Sequence, residues 1–316
     1  MSPETVEVPV AKSVKAAPQA VPGPRAAQTY PERVLSRPEI SVPRPEESVS
    51  SPPAASHPPA SASRSKLSGP RAVEARLEAE LAQQRHVTVE LQRAILPLHD
   101  EPFDLPGLRA VVRYLPASHD SRVGGDWYIT ADMPSGKVLI AIGDVAGHGL
   151  AAAAGMARMR GALAGLAITG APPQQLVGWL NEMARHVDAE HTASVLAGYF
   201  NPATQMLSWA QAGHPPPILV RGENAWALPQ PDGILLGAGD RGYHVASQQL
   251  IVGDLLLLYS DGLVERRYQS LDDGLSTLVG AAAGCGDPDD VVATVLSALG
   301  STATDDDTCL VALQVL

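Results

Sequence analysis

The chain has 316 residues and a formal net charge of -11. Its first 69 residues carry eight Lys and Arg against six Asp and Glu, so the remainder carries -13. A body this acidic argues against nonspecific nucleic-acid binding, which needs clustered cations, and any chemistry on phosphate here needs added positive charge. Two cysteines, Cys285 and Cys309, give neither a disulfide framework nor metal-ligand spacing.

Half of the 28 prolines lie within residues 1–70, among Ser and Ala runs such as SVSSPPAASHPPASAS. Such a segment buries too little apolar surface to offset its ordering entropy, so residues 1–69 are expected to be a disordered tail. The N-terminus has no signal-peptide apolar run, and residues 138–168 are interrupted by Asp144, His148, Arg158 and Arg160. No membrane span is expected, and a cytoplasmic protein follows.

From residue 70 the texture changes to AVEARLEAELAQQRHVTVELQRAIL, free of Gly and Pro until Pro97. Leu77, Leu81, Leu91 and Ile95 fit the gaps of a heptad whose middle positions are Gln84 and Thr88. Residues 70–98 are read as a linker or regulatory helix. Two alternatives stay open for 72–96: a helix packed on its own domain, or one that forms a homodimer or switches.

Beyond Leu108 the pattern shifts to short apolar strands: LRAVVRYLP, KVLIAIGD, TASVLAGYF, MLSWAQAG, PPILV, DLLLLYSDG and TCLVALQV. Helices are expected over 150–168, around Leu176, Leu180, Met183 and Val187, and over 291–299. Two strand groups flanking central helices predict an α+β sandwich of two mainly antiparallel sheets flanked by helices, within one domain over 99–316.

Four acidic residues stand where strands meet turns: Asp126 in VGGDWY, Asp144 in IGDVAGHG, Asp261 in LLLLYSDG, and Asp305 in the DDDT run. Each alone is an ordinary turn residue. Together they supply the converging oxygen ligands that a hard divalent cation needs, and a set without Cys favours Mg²⁺ or Mn²⁺ over Zn²⁺. Two such ions can activate water and stabilise in-line displacement at phosphorus. Gly147 and Gly149 are expected to let the backbone pass close to a bound ion or phosphate.

VGGDWY, GDVAGHGLAAA, AGHPPP, YSDGLVERR and DDDT, in this order, resemble the motifs of SpoIIE-type serine/threonine phosphatases of the metal-dependent PPM superfamily. The resemblance runs from about Gln92 to Leu316. It implies an α/β-β/α sandwich with two metal ions at one end of the sheets. By it, Asp144 bridges both ions, the Val145 carbonyl ligates one, Asp261 and Asp305 complete the sites, and Asp126 assists; Asp306 is the alternative to Asp305. A metal-bridged hydroxide would attack a phosphoserine or phosphothreonine protein without a covalent phosphoenzyme.

His148 is a candidate general acid and Arg122 a candidate phosphate contact, while His214 is read as shaping a rigid loop. The resemblance also implies a partner-switching pathway in which the substrate is a phosphorylated anti-sigma-factor antagonist. One departure is visible: Ile129 stands where the family commonly has an acid, which bears on local support for Asp126. A noncatalytic phosphoprotein-binding module and a two-metal nuclease or nucleotide hydrolase are the rival readings, and the acidic body and absent P-loop weigh against the latter.

Overall fold

The computed structural model describes residues 76, 79, 83, 95–97, 99, 101–116, 124–187, 192–265, 270–299 and 306–316. The chain divides into two units, Met1–Arg64 and Ser65–Leu316, and every described residue belongs to the second. The expected tail and most of the expected 70–98 helix lie outside the described residues; Arg76, Ala79, Gln83 and Ile95 are helical.

Among the described residues, eleven strands form two sheets. The first contains β1 (Phe103–Leu105), β2 (Leu108–Leu115), β7 (Ile218–Arg221), β8 (Asn224–Ala227), β10 (Leu255–Tyr259) and β11 (Thr308–Val315), in the order β1-β2-β11-β10-β7-β8. The second contains β3 (Trp127–Asp132), β4 (Val138–Val145), β5 (Ala193–Asn201), β6 (Met206–Ala212) and β9 (Ala246–Gln249), in the order β3-β4-β5-β6-β9. Every strand pairing in both is antiparallel.

The sheets stack face to face because their central strands are apolar on both sides. Along β4, Val138, Ile140 and Ile142 join Leu256, Leu258, Cys309 and Val311 in the layer between the sheets. The alternate residues Leu139 and Ala141 pack outward with Met156, Met159, Leu163, Leu176 and Leu180. Those last five come from α1 (Leu150–Ala167) and α2 (Pro173–Val187). On the other outer face, Leu255, Leu257 and Tyr259 meet Leu278, Val291 and Val295 of α3 (Leu271–Ala282) and α4 (Pro288–Ala298). The period-2 alternation of strands thus builds four layers, helices–sheet–sheet–helices, as the sequence predicts.

Helix starts have local causes. Ser270 and Asp287 cap α3 and α4 by accepting from the N–H groups of Asp273 and Asp290, and α4 opens with Pro288. The sequence reading omits α3, whose Gly274 and Gly280 weaken its helical signal, and the strands β1, β3, β8 and β9. Leu96 is buried against the outward core of the second sheet, and the Tyr128 hydroxyl donates to the Pro97 carbonyl, which fastens the start of the domain. Among the described residues no helix is long and apolar enough to cross a membrane.

Two glycines test the packing. A Cβ on Gly198 in β5 would run into the Ser208 carbonyl and the Trp209 side chain, whereas one on Gly280 in α3 meets open space. Gly198→Ala is expected to destabilise by roughly 1–3 kcal/mol through overpacking. Gly280→Ala should stabilise by about 0.5–1 kcal/mol through helix propensity. Urea unfolding midpoints of both variants check the pair.

Candidate metal centre

The antiparallel registers bring the start of β3, the ends of β4, β10 and β2, and the start of β11 to one end of the sandwich. Tyr114 of β2 pairs with Cys309, Trp127 pairs with Gly143, and Tyr259 pairs with Leu310. On each of these strands the residues facing the inter-sheet layer switch from apolar to polar at this end. Ile142 is followed two residues on by Asp144, Leu258 by Ser260, and Val112 by Tyr114; Tyr128 is preceded by Asp126, and Cys309 by Asp307. Period 2 keeps each polar group on the same face as the apolar residue before it.

Asp126 is 2% exposed and accepts a hydrogen bond at 2.6 Å from the Ser260 hydroxyl. Ser260 Oγ in turn accepts from the Cys309 N–H at 2.9 Å, so one buried hydroxyl links the two sheets. Burial, followed by the Asp144 charge, raises the Asp126 carboxyl well above its ordinary range, with Asp307 and Asp261 adding and Ser260 opposing. Asp144, the penultimate residue of β4, is pushed from 3.8 to about 7, first by burial and then by Asp261, Asp306 and Asp307; its hydrogen bond with Asp126 opposes this. Asp261 opens a short 3-10 turn, Asp261–Leu263, and is raised by burial, Asp306 and Glu265 against backbone hydrogen bonds.

Glycines let these segments touch. A Cβ at Gly125 would occupy the place of the Val145 carbonyl and lie 2.7 Å from Asp144 Oδ1; one at Gly124 would fall on the Asp307 carboxylate. Close approach between protein segments is therefore made at Gly124 and Gly125. Gly147 and Gly149 have positive φ, 103° and 80°, with open space beside them, so they serve the turn into α1.

Of the residues singled out in the sequence, Asp126, Asp144, Val145 and Asp261 come together. Arg122 and Asp305 lie outside the described residues. His148 is exposed on the turn after β4. His214 is buried, its Nδ1 2.7 Å from Ser194 Oγ, and Ser194 stands opposite Asp144 in the register. Burial lowers the His214 pKa to about 3, opposed by the Tyr259 backbone, so the ring is neutral and supports the loop. Ile129 is buried in the apolar core between the second sheet and α1, on the opposite face of β3 from Tyr128, where an acid would be costly. Support for Asp126 comes instead from Ser260.

Sequence reasoning missed Ser260, Tyr114 and Asp307. Asp307 is 3% exposed and accepts from the Tyr114 hydroxyl at 2.6 Å. Burial and the neighbouring carboxylates, Asp307 first, raise the Tyr114 pKa strongly, which keeps that hydroxyl a donor. Among the described residues no three His, Cys, Asp or Glu side chains form a closed ligand group. The donor set nevertheless fits hard divalent cations: all oxygen, mutually repelling, largely buried, and approached by the Val145 carbonyl through a side-chain-free gap at Gly125.

The family model for stage II sporulation protein E (SpoIIE) matches residues 134–316. The phosphoserine phosphatase RsbU of Bacillus subtilis (strain 168) is 28% identical over 204 residues, covering 63% of this chain and 58% of that protein. Among solved structures, the RsbU and RsbW domains of Rv1364c from Mycobacterium tuberculosis superpose with a TM-score of 0.61 at 30% identity, covering 66% of this chain and 60% of that one. The PP2C phosphatase domain of SpoIIE from Bacillus subtilis, with a fragment of its regulatory domain, gives 0.55 at 19% identity, covering 66% and 63%, a likeness of fold. The chain thus spans about three-fifths of the length of these relatives.

Two outcomes are expected at this end of the sandwich. The folded Asp144 carboxyl titrates above its unfolded value, so its stabilising contribution is complete below 3.8 and is lost as pH rises through about 7. The melting temperature of the metal-free protein should therefore fall across that interval, and Asp144→Asn should flatten the fall. Ser260→Ala strips a donor from Asp126 and an acceptor from the Cys309 N–H, and should cost roughly 1–3 kcal/mol in urea unfolding.

Proposed function

This chain belongs to the SpoIIE family, and from that premise we propose that residues 99–316 are a metal-dependent phosphatase acting on phosphoserine or phosphothreonine in a protein. The observation that carries the reading is the set of buried and half-buried carboxylates at one end of the inter-sheet layer: Asp144 and Asp261 raise the proton affinity of Asp126, Asp261 raises that of Asp144, and Asp306 raises that of Asp261. Groups placed so that they repel stay ionised at neutral pH only with cations among them.

In this reading Asp126, Asp144, the Val145 carbonyl, Asp261 and Asp305 hold two Mn²⁺ or Mg²⁺ ions. When bound, the ions supply the charge that activates water and neutralises the phosphoryl oxygens. Ser260 keeps the Asp126 carboxylate aimed across the layer, and Gly125 keeps the Val145 carbonyl accessible. His148, on the exposed turn, is assigned the proton for the leaving hydroxyl, and Arg122 a contact to phosphate.

The substrate is assigned to a phosphorylated anti-sigma-factor antagonist or a similar phosphoprotein of a cytoplasmic partner-switching pathway. The name of the Bacillus relative, a phosphoserine phosphatase, and the RsbW domain joined to the RsbU domain in the Mycobacterium structure support that choice. The expected helix over 72–96 is assigned a regulatory role, as a switch or by pairing with a second copy.

Phosphate release from a phosphoserine protein and from a generic aryl phosphate should require Mn²⁺ or Mg²⁺ and stop with chelator. Asp144→Asn should lower the rate by more than about 100-fold. Metal-independent release, or full activity in Asp144→Asn, would sink the proposal.

A further inference from the structure

Tyr114 lies one residue before the end of β2, and Asp307 lies one residue before β11. The pairing of Tyr114 with Cys309 puts both side chains on the face of the first sheet that looks into the inter-sheet layer. Their hydrogen bond, 2.6 Å from the Tyr114 hydroxyl to Asp307 Oδ2, is partly buried. Asp307 also touches the other acidic segments. Its N–H donates to Asp306 Oδ1 at 2.8 Å, its carbonyl takes the place a side chain would need at Gly262, and its carboxylate does the same at Gly124. One residue therefore contacts Asp306, the Gly124–Asp126 loop and the Asp261–Leu263 turn together. The family resemblance places the ligand at Asp305, with Asp306 as the alternative, and assigns nothing to Asp307 or Tyr114.

We propose that Tyr114 and Asp307 are a positioning pair that fixes the Asp306–Asp307 segment against the Gly124–Asp126 loop and so sets the affinity of the carboxylate centre for divalent cations. The inference rests on the metal-dependent reading above. Its physical basis is the geometry of a short acidic turn. Such a turn is held apart by its own charge, and a neutral donor from the neighbouring strand anchors it without competing for the cations as an arginine or lysine would. Removing a hydrogen bond that orients a ligand-bearing segment commonly costs 10–100-fold in metal affinity.

Titration calorimetry of the full chain with Mn²⁺, beside melting of the metal-free protein, tests this. Tyr114→Phe keeps the ring and removes only the hydroxyl; it should bind Mn²⁺ about 10-fold more weakly. Asp307→Ala should weaken binding similarly, and Asp307→Asn, whose amide oxygen still accepts from Tyr114, should recover most of the loss. Tyr114→Phe combined with Asp307→Ala should be no weaker than Asp307→Ala alone, because both remove one interaction.

Wild-type affinity in a folded Tyr114→Phe protein, additive losses, or no recovery in Asp307→Asn would overturn the proposal. A purely structural pair would lower the metal-free melting temperature and leave affinity unchanged. Should Tyr114→Phe fail to fold, the comparison of Asp307→Ala with Asp307→Asn decides. Absence of Mn²⁺ binding in the wild-type chain would instead defeat the metal-dependent reading itself.

Discussion

Carboxylates from both sheets face one another across the end of an apolar layer, and their repulsion constrains everything nearby. Asp126, Asp144 and Asp261 are each raised by burial and by other acids of the group. An arrangement that costs energy in the metal-free protein persists only where the surrounding structure over-determines it. Here it does so through the sheets. Asp126 just before β3, Asp144 on β4 and Asp307 just before β11 each stand two residues from a layer-facing side chain, Tyr128, Ile142 or Cys309, so the core below fixes where the charge must point. Ser260, bonded to Asp126 and to the Cys309 N–H, then ties the acidic end of one sheet to the backbone of the other.

Much of this was legible in the sequence for a simple reason. VLIAIGDV, LLLLY and TCLVALQV are apolar on both faces, and strands buried on both sides are the ones a continuous hydrophobic run announces. The acids at their ends could be found by position alone. Short strands could not: β1, β8 and β9 have three or four residues and alternate between exposed and half-buried, so they carry little periodic signal. WYITAD of β3 follows Gly124, Gly125 and Asp126 and is not among the strands read from the sequence. α3 was hidden by Gly274 and Gly280, although its Ser270 cap followed by Asp273 is a local start signal.

Asp307 was illegible for a different reason. In the run of three aspartates before β11, the one that enters the layer is decided by which face of β11 looks inward. Cys309 and Val311 face the other sheet while Leu310 and Ala312 face the helices, and both sets are apolar. Period 2 is present but its phase is invisible, so the sequence could not say that Asp307 shares a face with Cys309. The glycines differ in the same way: Gly147 and Gly149 have positive φ with no protein atom close by, whereas Gly124 and Gly125 are packed so tightly that no side chain fits.

A second buried carboxylate in the same molecule shows what the first group lacks. Asp254, 1% exposed, lies just before β10, at the end of that strand remote from Asp261. Arg221 holds it with hydrogen bonds of 2.8 and 2.7 Å, and the Ile251 N–H adds a third at 2.9 Å. The chain therefore has a means of burying an acid for structure alone: a forked cation from the neighbouring strand. Around Asp144 it places further acids instead, with Asp261, Asp306 and Asp307 each adding to the unfavourable charge. Two ends of one strand thus meet the same desolvation problem with opposite arrangements. The arginine end is electrostatically closed, whereas the acidic end stores a demand for cations, so in the proposed reading ion binding and folding stability are linked by mass action.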